Sequence, residues 1–123
     1  MNTTVNFEIS KLVKKKGYDY VTDLIYMTNH TKEVLFENIN GLKHSDGNNP
    51  FCSAPTIAEV VMWIYEKYGV WISVDMIFVE NQTYFYYIIT ESKDDVIDIQ
   101  SEKYNTATEA YSSAIEYTLK NLI

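Results

Sequence analysis

A chain of 123 residues bounds one domain with a modest core. Ten lysines, no arginine and 17 acids leave a net charge of −7, a balance that repels phosphate backbones. One cysteine excludes an internal disulfide framework. With no basic-then-apolar leader and no long apolar run, the expected setting is the cytoplasm, with no membrane partner.

The charge is uneven. Residues 1–55 hold equal numbers of lysines and acids, so residues 56–123 carry the whole net charge. Residues 1–5 read as a loose lead-in. Asn6 is placed to cap a helix over 7–16 with Ile9, Leu12 and Val13 as its buried stripe, closed by Gly17. Lys14, Lys15 and Lys16 fall in its last turn, where cations complement the helix dipole. Lys11, Lys14 and Lys15 are also the one candidate set for phosphate contact, without the arginine or interleaved aromatics of a nucleic-acid patch.

Residues 24–28 and 33–38 read as strands joined by a short hairpin loop at 29–32. Residues 39–53, rich in Gly, Asn, Ser and Asp, read as a loop, long for a compact domain. The clearest helix follows, over 57–68. Thr56 and Glu59 form a T-x-x-E capping box, and Gly69 supplies a left-handed stop. Val60, Val61, Ile64 and Tyr68 recur at helical spacing, flanked by Ile57 and Trp63.

Residues 70–75 alternate, with Val70, Ile72 and Val74 on one face and Trp71 and Ser73 on the other. Residues 81–83 mark a connection, 84–91 and 96–100 read as strands, and 92–95 as a polar turn. Thr106 and Glu109 open a last helix in a second T-x-x-E box. Its stripe is Ala107, Ala110, Tyr111, Ala114, Ile115, Thr118 and Leu122. The expected fold is α+β: an N-terminal helix and β-hairpin, then an α-β-β-β-α unit with an antiparallel sheet and two helices on one face. The chain 1–123 is one domain, with sub-parts 1–53 and 54–123. Val60, Ile64, Ile72, Phe85, Ile89, Ala110 and Ala114 are the expected core.

Three stretches, FEISKLVKKKGYD, SAPTIAEVVMWIYEKYGVWISV and YNTATEAYSSAIEYTLKNLI, resemble in the same order a group of small phage and prophage proteins of Bacteroides-type bacteria. The resemblance implies a bacterial host cytoplasm and brings no activity. The C-terminal part resembles the double-stranded RNA-binding domain in topology. That family has a basic segment at the start of its last helix, where this chain has Thr106-Ala107-Thr108-Glu109-Ala110. The resemblance therefore carries over no phosphate-gripping lysine.

Catalytic patterns are thin. Cys52 with His44 as base would make a small hydrolase, but both belong to one loop and nothing orients the imidazole. His30, His44, Asp46 and Cys52 lack zinc-site spacing. The acidic run Asp94, Asp95, Asp98 and Glu102 lacks the glycine of a calcium loop and reads as a solvated strand edge. Residues 41–47 lack the Lys-Ser/Thr of a phosphate loop. No cofactor or metal is implied.

The stretch YFYYII stands apart. Tyr84 and Tyr86 share one face of their strand, both faces are apolar, and two helices cover only one. Trp71 is expected on the uncovered face with them. Trp71, Tyr84 and Tyr86 are thus the candidate interaction surface of a non-enzymatic module that binds a protein partner or itself. Cover by the N-terminal hairpin would instead make this face a second core. The alternatives are a nucleic-acid accessory protein using the Lys cluster, and the Cys/His hydrolase.

Overall fold

Asn6, Thr56 and Thr106 each open a helix in the computed structural model, which describes residues 3–29, 32–38, 51–91 and 97–123. The Asn6 side chain accepts the Ile9 N–H at 2.9 Å, starting α1 (Phe7–Lys15). Thr56 and Glu59 exchange both bonds of the capping box at the head of α2 (Ile57–Tyr68). Thr106 accepts the Glu109 N–H at 3.1 Å and starts α3 (Ala107–Asn121). Each cap satisfies a first-turn N–H that has no partner inside the helix. Gly69 ends α2 at φ 71°, where a side chain would strain against its own backbone.

Two antiparallel sheets accompany the helices. In the first, β1 (Leu24–Asn29) lies between β2 (Lys32–Glu37) and β3 (Phe51–Ala54). In the second, β5 (Gln82–Glu91) lies between β4 (Val70–Val79) and β6 (Ile97–Gln100). From α2 onward the order is helix, three meandering strands, helix, with α2 over β4, α3 over β4 and β5, and the two helices side by side. Burial is one-sided. Val70 and Ile72 of β4 and Ile89 of β5 are sealed beneath Val60 and Ile64 of α2 and Ala114 and Ile115 of α3. Each aliphatic side chain so buried contributes about 1.5–3 kcal/mol, set against the entropy of ordering it. α1 bridges the halves by packing on β3 and α3, and its Ile9 and Val13 belong to the same continuous core.

The structure departs from the sequence reading in several places. The lead-in is tied down: Val5 N–H donates to the Pro55 carbonyl at 2.9 Å, Ile57 N–H to the Thr3 carbonyl at 2.8 Å, and Val5 is buried. Its polar neighbours hid the one apolar residue that α2 needed at its entrance. The end of the expected loop is strand β3, which carries Cys52 and Ser53 into the interior. Four residues behind a Gly/Asn/Pro-rich run give too short a pattern to read, and the sub-part boundary at 53/54 falls inside this strand. β4 runs on to Val79, four residues past its expected end, and turns at Glu80–Asn81, both at positive φ. Positive φ at both central residues is the two-residue hairpin turn usually marked by Asn-Gly, and no glycine announces it here. Phe85 is half-buried, and Tyr87 takes the core place expected for it. Ala107 and Leu122 are likewise only half-buried, and Leu119 joins the stripe of α3.

Candidate interaction surface

The Glu80–Asn81 turn sets which side chains share a face. It pairs Val79 with Gln82, and from there Ile77 with Tyr84, Asp75 with Tyr86, Ser73 with Ile88 and Trp71 with Thr90. Odd positions of β4 therefore share a face with even positions of β5. Val70, Ile72, Val74, Met76 and Phe78 share the other face, toward α2 and α3, with Phe85, Tyr87 and Ile89. Trp71, Tyr84 and Tyr86 thus lie on one face, the one turned away from both helices.

They do not form one cluster. Tyr86 is opposite Asp75 and Tyr84 opposite Ile77, about 13 and 20 Å along the strand from Trp71 at roughly 3.3 Å per residue. Tyr84, Tyr86 and Ile77 form an apolar group in the outer half of the hairpin. Trp71 stands at its base, its ring edge-on to Tyr65 of α2 with centroids 5.3 Å apart. Trp71 is 40% exposed and Ile77 37%, while Tyr84, Tyr86 and Ile88 are half-buried. Lys103 stands over the Tyr84 ring at 5.6 Å, a cation on an aromatic face. Among the described residues, no element of the N-terminal half makes more than marginal contact with β4, β5 or β6.

The sequence reading did not anticipate the hairpin's outer end. Met76 and Phe78 point to the helix side yet are 68% and 69% exposed, because β4 outruns the helices that cover its first half. The outer hairpin is thus apolar on both faces. The one signal available was the run Met76-Ile77-Phe78-Val79, unbroken by any charge.

The other candidates read differently in place. Lys11 is paired with Glu8 at 3.0 Å and lies over the Phe7 ring. Lys14 is half-buried and Lys15 exposed, while Lys16 donates to the Ile123 carbonyl at 2.6 Å. The lysines of α1 therefore hold helix contacts as well as facing solvent. Cys52 is buried in β3, and loss of hydration pushes its thiol up to about 11, against a smaller opposing pull from Lys14 and Lys11. At neutral pH it is a thiol and not a nucleophilic thiolate. His30, His44, Asp46, Asp94, Asp95 and the 41–47 segment lie outside the described residues. Among the described residues no group of His, Cys, Asp and Glu is arranged to hold a metal, and no helix is long and apolar enough to cross a membrane.

One shallow groove, of about 350 Å³, runs between α2 and residues 18–21. Its floor is Tyr18 and Trp63, edge-on at 5.3 Å, and its rim carries Glu59 and Glu66. Much of its chemistry is already engaged within the chain. Glu59 caps α2, and Lys67 stands over the Trp63 ring at 5.3 Å while donating to the Lys16 carbonyl.

No protein-family model matches the chain, and neither the curated proteins nor the solved structures contain a significant match.

Proposed function

We propose that this chain is a non-enzymatic interaction module that binds a protein, foreign or a second copy of itself, through the β4–β5 hairpin and its Trp71, Tyr84 and Tyr86 face. The observation that carries this reading is a hairpin of two ten-residue strands whose outer half bears apolar side chains on both faces and has no helix over it. Exposed apolar area of this kind is costly in water, and tyrosine, tryptophan and methionine are the residues that interfaces favour. The resemblance to phage and prophage proteins makes a host or phage protein in the bacterial cytoplasm the natural foreign partner. Of the three lysines the nucleic-acid alternative would use, Lys11 is ion-paired to Glu8 and Lys14 is half-buried, which favours the protein reading. The burial of Cys52 supports the non-enzymatic reading over the hydrolase alternative.

The test is capture and self-association of the wild type beside Trp71→Ala and Tyr86→Ala. Both side chains stand on the open face, so the fold should persist. Association should weaken by about 1–2 kcal/mol per variant if either ring is an anchor. Binding unchanged in both variants removes these residues from the interface.

A further inference from the structure

The free edge of the second sheet carries a more specific message than its face. On β5, the Phe85 N–H and carbonyl both bond to Tyr104, at 2.8 and 2.7 Å, and the Tyr87 carbonyl accepts the Ser101 N–H at 3.0 Å. Odd residues of β5 therefore turn their backbone groups toward the β6 side, and even residues turn theirs toward β4. Their partners on β4 are the odd residues, Trp71 to Val79. By the same alternation Ile72, Val74, Met76 and Phe78 direct N–H and carbonyl outward. Among the described residues nothing pairs with that edge.

Natural edge strands are short, charged, bulged or interrupted by proline, because an open row of donors and acceptors templates another strand. β4 is ten residues long, regular in register throughout, free of proline, and carries one charge, Asp75. Such an edge specifies its occupant as an extended strand. We infer that the occupant is the β4 edge of a second copy, paired antiparallel about a two-fold axis to make one six-stranded sheet.

Self-pairing is favoured because the edge complements itself. Outward groups sit on even residues in both copies, so even faces even. A two-fold at Asp75 would set two carboxylates opposite each other. A two-fold at Met76 sets Met76 against Met76, Val74 against Phe78 and Asp75 against Ile77. The exposed Met76 and Phe78 then become cross-strand neighbours of apolar side chains, the pairing that stabilises sheets. This register also avoids the strand's first residues. There Tyr65 from the helix side and Trp71 from the open side meet around the free edge, since β5 closes the other. An antiparallel two-fold keeps faces aligned, so the dimer carries all its helices on one side and a doubled Trp71–Tyr84–Tyr86 face on the other. The proposal rests on the interaction reading and names its first partner. Each copy carries −7, so the association strengthens as salt screens the repulsion.

The decisive measurement is amide hydrogen exchange at low and high concentration, read beside the mass in solution. The expected result is a dimer whose Val74, Met76 and Phe78 amides are protected at high concentration and exchange quickly on dilution. Asp75 and Ile77, bonded to β5, stay protected throughout. Met76→Pro removes one outward N–H without touching the β4–β5 ladder, and edges tolerate such prolines. It should leave a folded monomer whose Asp75 and Ile77 amides, bonded to β5, are still protected. A wild type that is monomeric at every concentration overturns the inference, as does a dimer that survives Met76→Pro. Protection of the edge amides at all dilutions also overturns it, because the edge is then covered within one chain. Should Trp71→Ala and Tyr86→Ala abolish a dimer that Met76→Pro leaves intact, the face reading stands and the edge fails. Should the wild type stay monomeric yet capture a lysate protein, the function stands without this partner. If neither association occurs, both fail.

Discussion

Ser10 and Cys52 show how much the interior decides about a polar side chain. Ser10 is on the buried stripe of α1 with Ile9 and Val13, and its hydroxyl has no hydrogen-bond partner among the described residues. A buried hydroxyl without a partner forfeits its hydration and recovers nothing. Ser10→Ala should therefore stabilise the fold by roughly 1 kcal/mol, with a further small gain from helix propensity. Chemical denaturation measures it, and a lower midpoint would mean that the hydroxyl does bond in solution. Thr118 is equally buried but donates to the Ala114 carbonyl at 2.8 Å, so the same reasoning gives Thr118→Ala no such gain. Helical periodicity puts both residues on buried stripes. Whether a hydroxyl there finds a partner depends on the neighbouring atoms, which the spacing of apolar residues does not encode.

At the scale of elements, helix starts were legible because capping is local: the residues that make Asn6, Thr56 and Thr106 into caps lie three positions away. The hairpin turn was not. Glu80 and Asn81 hold φ 50° and 64° without glycine, so the usual marker was missing and the connection was expected at 81–83, one residue later. Asparagine tolerates this region better than glutamate, and Asn-Gly suits it best. Replacing Glu80-Asn81 by Asn-Gly should raise stability by roughly 0.5–1 kcal/mol and leave the register intact. Unchanged or lowered stability would argue that the two residues are not held at positive φ. The turn also matters to the candidate surface. A connection one residue longer would pair odd with odd, move Trp71 to the face of Phe85 and Tyr87, and separate it from Tyr84 and Tyr86.

At the scale of the molecule, one core runs from Val5 and α1 through α2 and the second sheet to Leu119. Burial raises the Tyr18 and Tyr87 hydroxyls above their ordinary value, chiefly by loss of hydration, and moves the Cys52 thiol from 9.0 to about 11. Each group is kept neutral by the fold and ionises more easily when unfolded. Their contribution is therefore complete below the unfolded thiol value of 9.0, and falls as pH rises through the folded value of about 11. Stability should decline above pH 9, with Cys52 leading and the tyrosines following. In Cys52→Ala the decline should begin later, as thermal melts across the alkaline range will show. A wild type and variant that lose stability at the same pH would remove Cys52 from that role.

The sequence alone determined the helices, their caps, the alternation of Val70, Ile72 and Val74 against Trp71, and the grouping of Tyr84 with Tyr86. All of these follow from interactions within a few residues, or from the two-residue period of a strand. Only the tertiary structure decided the rest. β3 pairs with a strand more than twenty residues earlier, so nothing near it announces it. Val5 is buried because α2 begins beside it. Phe85 and Met76 lie on the core face of the sheet, yet the helices cover that face only as far as their packing against β4 and β5 extends. How much of the hairpin is left open, and which edge of the sheet is free, depends on where distant elements stop. Neighbouring residues cannot encode that, because the relevant contacts close loops tens of residues long.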